Sequence, residues 1–249
     1  MTPELSAIVD EAYRVFSRYE IGSTLTVCHC NVCMTDDTEL ALVETPLREV
    51  PSDVLAEYTN SAHGWDDDII AREMRHFLPR YFELIALDDP PDSMGLDICL
   101  RRIGRGGWRG KWPENEENLI DRFFDALVRS TLPRRELVLW PVGWRLKFDF
   151  AEVLTCIVTA EGNLERALSA WEQAENPAAA IHMAALRGDV LTLNGRFCLD
   201  NAFLEDHREA ADKIGAFLMR PEVDARIEAA FFETPDPRLQ RILSDATTQ

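Results

Sequence analysis

Hydrophobic side chains recur at helical spacing along most of this chain, a pattern typical of amphipathic α-helices. The pattern predicts helices over residues 2–19, 35–44, 52–63, 69–87, 116–131, 150–159, 164–175, 178–188, 202–219, 222–232 and 237–245. Thr2 followed by Pro3 is a typical helix start, and Pro46 stops the second helix. Pro79 lies inside the fourth helix, which is therefore expected to be kinked or split.

Two short segments favour β-structure instead. Residues 24–27 lead into a cysteine-rich loop, whereas residues 137–140 have no obvious strand to pair with. No internal repeat of fixed length is evident. We therefore predict an all-α protein, built as an irregular multi-helix bundle or an array of helix pairs, with a short cysteine-rich loop near the N-terminus.

Prolines and glycines interrupt the helical pattern between Asp88 and Pro113. This interruption predicts a helical unit with a cysteine metal loop over residues 1–87, a linker or surface loop over 88–113, and a second helical unit over 114–249. One continuous domain is the alternative, because 249 residues suit one large domain or two small ones.

Three of the six cysteines, Cys28, Cys30 and Cys33, fall in one short loop. Thiolates are strongly donating ligands, and the spacing C-x-C-x-x-C lets a short loop wrap around one ion. Structural zinc takes four ligands in a tetrahedron, so three thiolates leave one ligand to be found. The sequence therefore predicts a metal-binding loop, with zinc as the favoured ion.

Two histidines are candidates for the fourth ligand. His63 comes at a predicted helix end, where the backbone can bring an imidazole towards the loop; alternatively, its ring bonds the last carbonyls of that helix. His76 lies mid-helix on a polar face, where a solvated side chain paired with Glu73 is the alternative. We rank His63 first and His76 second. His29 is expected to point away from an ion that its two neighbours share.

The same residues allow other chemistry. The thiols can be small packed hydrophobes, Cys30 and Cys33 can form a redox pair, and an iron–sulfur cluster would need Cys99 or a histidine as well. A metal-dependent enzyme would use His63, His76 and a carboxylate from residues 66–68 around an open metal position. Three thiolates make the ion a poor Lewis acid, so we favour a structural metal over an enzyme.

The formal net charge of −18 at pH 7 argues against nucleic acid and against anionic lipid as partners. Solubility accounts for such a charge, and a cationic partner is the alternative. No segment has the length and apolar character of a membrane span or a secretion signal, so we expect a cytoplasmic location. The cysteines should then be thiols or metal ligands rather than disulfides.

Residues 101–111 form a basic, glycine-rich segment within this acidic chain. Its glycines can present backbone N–H groups to an anion, and Trp108 and Trp112 can stack on a planar group. The alternative is a mobile loop whose arginines pair with the acidic surface of the protein itself. The phosphate-loop and dinucleotide-binding signatures are both absent from the segment.

Four segments carry a resemblance to other proteins: residues 28–33 with the three cysteines, TPLRE at 45–49, YTNSAH at 58–63 and HFLPR at 76–80. Together they resemble a group of uncharacterised bacterial proteins over roughly the first third of the chain. The resemblance implies that residues 28–80 form one unit, with the cysteine loop and both histidines close in space. It implies no activity, ligand or partner.

These observations lead to one main hypothesis and two competitors. The main hypothesis is a cytoplasmic helical protein whose cysteine loop holds structural zinc and which acts by binding another protein. A metal-dependent enzyme with an open site near His63 and His76 is the first competitor. A thiol redox sensor is the second.

Overall fold

A computed structural model describes residues 1–30, 33–63, 67–92, 95–141 and 143–246, and only the backbone of Asp67. The helices in these residues are α1 (Pro3–Val15), α2 (Asp36–Glu44), α3 (Ser52–Asn60), α4 (Asp67–Ala86), α5 (Arg101–Arg105), α6 (Glu114–Thr131), α7 (Phe150–Thr159), α8 (Leu164–Gln173), α9 (Pro177–Arg187), α10 (Arg208–Leu218), α11 (Pro221–Glu233) and α12 (Pro237–Asp245). The strands are β1 (Leu137–Trp140), β2 (Gly143–Leu146), β3 (Val190–Leu193) and β4 (Arg196–Leu199). Two short 3₁₀ helices are Leu47–Glu49 and Ala202–Leu204.

The fold is mostly helical but not purely all-α, because two antiparallel hairpins accompany the helices. The strand predicted at residues 137–140 does have a partner: β1 pairs with β2, which follows it directly, with Leu139 opposite Trp144. The hairpin of β3 and β4 was not predicted at all. Its turn, Asn194-Gly195, has positive φ at both residues (51° and 77°), the conformation that a two-residue hairpin turn requires.

The chain forms two compact units. Unit 1 comprises Met1–Leu127 together with Thr159–Gly162, and unit 2 comprises Val128–Val158 and Asn163–Gln249. The division therefore falls within α6, and the described part of residues 88–113 belongs to unit 1 rather than lying between the units.

In unit 1, α4 provides the central helix, and α1 and α5 pack against it. Its buried side chains are Ile70, Met74, Phe77, Leu78, Tyr81, Phe82 and Ile85. The helix runs without a break from Asp67 to Ala86, so Pro79 does not split it. Burial of the apolar stripe on both sides of Pro79 stabilises the continuous helix against the loss of one backbone hydrogen bond.

The basic, glycine-rich segment of residues 101–111 is ordered and largely internal. Trp108 is fully buried and its indole N–H donates to the Ala160 carbonyl at 2.6 Å, while Trp112 is 6% exposed. Neither ring is therefore available to stack on a ligand, contrary to one of the expectations. Arg109 forms a bidentate pair with Asp121, at 2.6 and 2.8 Å, so one arginine of the segment pairs with an acidic residue of the protein itself. The sequence did not predict α5, which begins this segment.

Unit 2 contains the helices from α7 onwards and both hairpins. Helix α9 is its most buried element, and Trp171 of α8 donates its indole N–H to the Ala179 carbonyl of α9 at 2.9 Å. Helix α10 packs on strand β4 at Gly215. Among the described residues, no helix combines the length and the hydropathy needed to cross a membrane.

Candidate metal centre

Two buried carboxylates hold the chain that enters the cysteine loop. The backbone N–H of Leu25 donates to Oε1 of Glu39 in α2 at 2.5 Å. The backbone N–H of Thr26 donates to Oε1 of Glu73 in α4 at 2.7 Å. Glu73 also accepts from the hydroxyl of Tyr58 in α3 at 2.9 Å. Helices α2 and α4 thus fix the segment just before Cys28, and Tyr58 of α3 supports Glu73.

Residues 61–63, which follow α3, contact both ends of the loop. The backbone N–H of Cys28 donates to the Ala62 carbonyl at 2.5 Å, and Val27 forms an antiparallel bridge with His63. At the other end, the Ser61 hydroxyl donates to the Cys33 carbonyl at 2.8 Å. The loop is therefore closed against one short stretch of backbone.

This closure brings the three thiols together. The sulfur atoms of Cys28, Cys30 and Cys33 all lie within 4.8 Å of one another, and no disulfide joins any of the six cysteines. A turn in which the Cys33 N–H donates to the Cys30 carbonyl at 3.2 Å sets the spacing. Cys30 is exposed, while Cys28 and Cys33 are half-buried. Three soft ligands at this separation could hold one metal ion.

The environment of Cys33 makes its thiol less acidic than an isolated one. The backbone N–H of Ala62 lowers the pKa of Cys33, but hydrogen bonds with the Cys30 and Cys28 thiols and partial desolvation together outweigh it and raise the pKa. Neighbouring thiols disfavour a second negative charge in the same place. A divalent cation removes this conflict, because it stabilises several thiolates at once.

The structure adds neither His63 nor His76 to the group of three thiols. His63 is next to the loop through its bridge to Val27, but its Nε2 lies 3.3 Å from Nη1 of Arg105. Desolvation, followed by the charge of Arg102, lowers the pKa of His63 to about 4 and keeps the ring neutral. A neutral ring is the form that binds a metal.

His76 is oriented by a different contact. Its Nδ1 lies 2.9 Å from the Tyr19 carbonyl, and its ring packs edge-on against Phe77 at a centroid distance of 5.0 Å. A hydrogen bond from Nδ1 to a carbonyl leaves Nε2 as the possible metal-binding atom. The alternative given for His76, a side chain paired with Glu73, is not formed, because Glu73 bonds Thr26 and Tyr58 instead.

Other potential ligands have contacts elsewhere. His29 Nδ1 is 3.6 Å from Oε2 of Glu39, so its ring is turned towards α2. Cys99 is buried and its thiol donates to the Gly95 carbonyl at 3.2 Å. Of the acidic residues 66–68 considered for an open site, Asp66 and the side chain of Asp67 lie outside the described part.

The sequence identified the three cysteines but missed the residues that position them. Glu39, Glu73 and Ser61 carry no local motif, and the burial of all three becomes visible only in the structure. Comparison with protein-family models, with curated proteins and with solved structures returns no match.

Proposed function

We propose that Cys28, Cys30 and Cys33 bind one zinc ion as thiolates and that the ion has a structural role. The observation that carries this proposal is the separation of the three sulfur atoms, within 4.8 Å of one another. Zinc is the ion that thiolate-rich tetrahedral sites most often hold. The ion would fix the cysteine loop, residues 28–33, against residues 61–63 and so join it to α3 and α4.

A fourth ligand completes the tetrahedron. His63 is our first candidate because its backbone already pairs with Val27, beside Cys28, and because its ring is neutral. His76 is the second candidate, with its Nδ1 bonded to a carbonyl in the manner of many metal-binding histidines. To bind the ion, the His63 side chain would have to rotate away from Arg105.

Elemental analysis of protein purified without a metal-binding tag, together with a thiol count before and after denaturation, tests this proposal. About one zinc per chain, with three thiols protected until denaturation, is the expected result. Absence of metal, with three thiols that react at once in the native protein, would refute it. Reversible formation of one disulfide under mild oxidation in the metal-free protein would then support the redox sensor.

The rate at which a chelator removes the ion also distinguishes a structural site from the open site of the enzyme alternative. A structural thiolate site retains zinc against a mild chelator, whereas an open catalytic site exchanges its ion readily. Release of zinc within minutes, with the thermal unfolding temperature unchanged, would favour the open site near His63 and His76.

For the role of the whole chain, we propose that it binds another protein. Hairpin β1–β2 in unit 2 supports this, because Leu139 and Trp144 lie directly opposite each other on one face and are 64% and 43% exposed. On the other face, the guanidinium of Arg145 stacks over the ring of Trp140 at 3.3 Å. Tryptophan and arginine are the residues most enriched at interface hot spots, and the Leu139–Trp144 pair offers an apolar surface to such a partner.

Affinity purification with the wild type and with a Leu139→Ser, Trp144→Ser variant tests the interaction. We expect a protein recovered in stoichiometric amount with the wild type to be lost with this variant. The control is Phe232→Ser, which removes an apolar side chain that is 77% exposed in α11. Recovery of the same proteins with all three chains would refute the assignment to this hairpin.

A further inference from the structure

Helix α5 places an arginine in the interior of unit 1 that has no carboxylate partner among the described residues. Arg102 is 1% exposed, and its Nη2 donates to the Ser61 carbonyl at 2.6 Å. Its guanidinium also stacks over the ring of Tyr58 at 4.1 Å. The two remaining nitrogens, Nε and Nη1, are buried and make no hydrogen bond to any described residue. A buried cation with unused donors is costly unless an anion compensates it.

Two further arginines of the same helix surround this group with positive charge. Arg101 is half-buried, and its Nε is also buried without a hydrogen bond to the described residues. Burial, and then the charges of Arg105 and Arg102, lower the pKa of Arg101. Arg105 is exposed, and its Nη1 lies 3.3 Å from Nε2 of His63. Three like charges therefore lie close together, although Asp92 is near enough to offset part of the effect on Arg101.

The other buried or half-buried arginines of unit 1 differ from those of α5 in having carboxylate partners among the described residues. Every other arginine that is buried or half-buried in the described residues of this unit pairs with a carboxylate. These pairs are Arg75–Glu116, Arg80–Glu83 and Arg109–Asp121. In contrast, Arg101, Arg102 and Arg105 form no ion pair with a described carboxylate, in a chain of net charge −18 that has acidic residues in excess.

We propose that Arg101, Arg102 and Arg105 form a binding site for a phosphate group. A phosphate monoester carries nearly two negative charges and three acceptor oxygens, which matches several guanidiniums better than a single carboxylate does. The donors of Arg102 are buried, so the ligand is a small molecule and not a folded protein surface. Arg105 marks the side from which the group enters, because it is the exposed member of the three.

Isothermal titration of inorganic phosphate and of glycerol phosphate into the protein as purified tests the site. The buffer contains no other multivalent anion, and sodium chloride holds the ionic strength constant, because surface charges respond to salt alone. We expect one site per chain. Tighter binding of the ester would identify a phosphorylated small molecule as the ligand, and equal binding would identify free phosphate.

Three variants assign the binding to α5. Arg101→Gln and Arg105→Gln should each weaken phosphate binding about tenfold, since each removes one charge-assisted hydrogen bond. Arg135→Gln removes the same charge from an exposed position in unit 2 and should change the affinity less than about twofold, since single exposed charges act weakly. If Arg101→Gln fails to fold, the phosphate affinity of Arg105→Gln alone tests the site, because Arg105 is exposed and its substitution should leave the fold intact.

Two results would overturn the proposal. One is the absence of saturable binding at millimolar phosphate, which would mean that the positive charge is compensated within the chain. The other is equal affinity in the wild type and both α5 variants. The zinc content is measured on the same samples, so that loss of the metal site and loss of phosphate binding are recorded separately.

Discussion

The hydroxyl of Ser61 donates a hydrogen bond to the carbonyl oxygen of Cys33 at 2.8 Å, and this bond joins the end of the cysteine loop to the chain that follows α3. Ser61 is 1% exposed, and its own carbonyl accepts from Arg102. One buried residue therefore contacts both the candidate metal loop and Arg102 of α5. It ties together the two sites that we propose in unit 1.

We expect Ser61→Ala to lower the free energy of unfolding by about 1 kcal/mol, the usual net value of one buried hydrogen bond. Zinc should also leave the variant faster, because the Cys33 end of the loop is less restrained. Urea denaturation and the rate of zinc transfer to a chromogenic chelator measure the two effects. Ser17→Ala, at an exposed serine, is the control. Wild-type values for both quantities in Ser61→Ala would contradict the role of this bond.

Cys30→Ser should remove zinc and lower the free energy of unfolding of the metal-loaded protein by several kcal/mol, because structural metal binding is coupled to folding. In metal-free protein the same change should cost less than about 0.5 kcal/mol, since Cys30 is exposed and surface substitutions are usually mild. Thermal unfolding of both proteins with and without chelator makes the comparison. Equal effects of the substitution in the two states, or full zinc content in the variant, would contradict the metal role of Cys30.

Glu116, which is fully buried, should be important for the stability of unit 1. It accepts from the Tyr19 hydroxyl at 2.6 Å and pairs with Arg18 and with Arg75. We expect Glu116→Gln to lower the free energy of unfolding by about 2 to 4 kcal/mol, because it removes the buried anion that the half-buried Arg75 and the Tyr19 hydroxyl contact.

The matched control for Glu116→Gln is Glu11→Gln, which breaks the more exposed Glu11–Arg122 pair. Its cost should be less than about 1 kcal/mol. Urea denaturation measures both variants. If the two variants lower the free energy of unfolding equally, burial does not explain the stabilising effect of Glu116.

His182 should make the stability of unit 2 depend on pH. Its ring is 0% exposed, its Nε2 lies 2.9 Å from the Arg134 carbonyl, and desolvation lowers its pKa from 6.5 to about 4. The unfolded chain therefore binds a proton between these pH values that the folded chain does not. By linkage, the free energy of unfolding falls as the pH drops through this window, by about 3 kcal/mol at most.

In His182→Gln this contribution is absent, so the pH slope of the free energy of unfolding should be smaller than in the wild type between pH 6.5 and about 4. Urea denaturation at several pH values measures the slope in each protein. The absolute stability of the variant is irrelevant to the comparison. Identical slopes would contradict the neutral, buried state of His182.

Gly215→Ala should destabilise unit 2. A Cβ atom at this position would lie 2.6 Å from the Cys198 nitrogen and 2.7 Å from the Phe197 carbonyl carbon, both in the backbone of β4. Helix α10 would have to move from the strand, at a cost of about 1 to 3 kcal/mol. Gly22→Ala is the control, since its Cβ would meet nothing closer than 3.6 Å and the change should be nearly neutral. A neutral Gly215→Ala in thermal unfolding would contradict the close packing.

The helices were largely predictable because their start signals act locally. Thr2 accepts the Leu5 N–H at 3.3 Å, and Asn163 and Asn176 cap α8 and α9 in the same way. The helix ends differ from the prediction: α1 stops at Val15 rather than near residue 19, and α3 stops at Asn60 before His63. Tertiary contacts decide such ends, and these contacts are not visible in a local pattern.

The hairpin of β3 and β4 did have a sequence signal, Asn194-Gly195 between apolar residues, which is typical of a two-residue turn. The stronger helical pattern on both sides obscures this short signal. Helix α5 had no such signal. Its Gly104 would bring a Cβ within 2.6 Å of the Thr159 carbonyl oxygen, so a distant segment explains a glycine that locally disfavours helix.

The candidate metal centre was predicted in part. Cysteine spacing alone identified Cys28, Cys30 and Cys33, and the structure brings their sulfur atoms together. The acceptors Glu39 and Glu73 reach the loop entrance from two different helices, and sequence separation hides such contacts. For the fourth ligand, His63 and His76 remain predictions. The arginines of α5 lie in a segment that the sequence shows to be basic, but no local pattern indicates that Arg102 is buried.

Unit 1 includes residues 159–162, which are synthesised only after residues 128–158 of unit 2. The Ala160 carbonyl accepts from the buried indole of Trp108, and the Glu161 carbonyl accepts from Arg109 at 3.1 Å. A nascent chain that has emerged only to Leu127 therefore has every helix of this unit but not the acceptors that its core requires. Unit 1 therefore reaches its final packing only after the first helix of unit 2, α7, has been synthesised, although all the helices of unit 1 come earlier in the sequence.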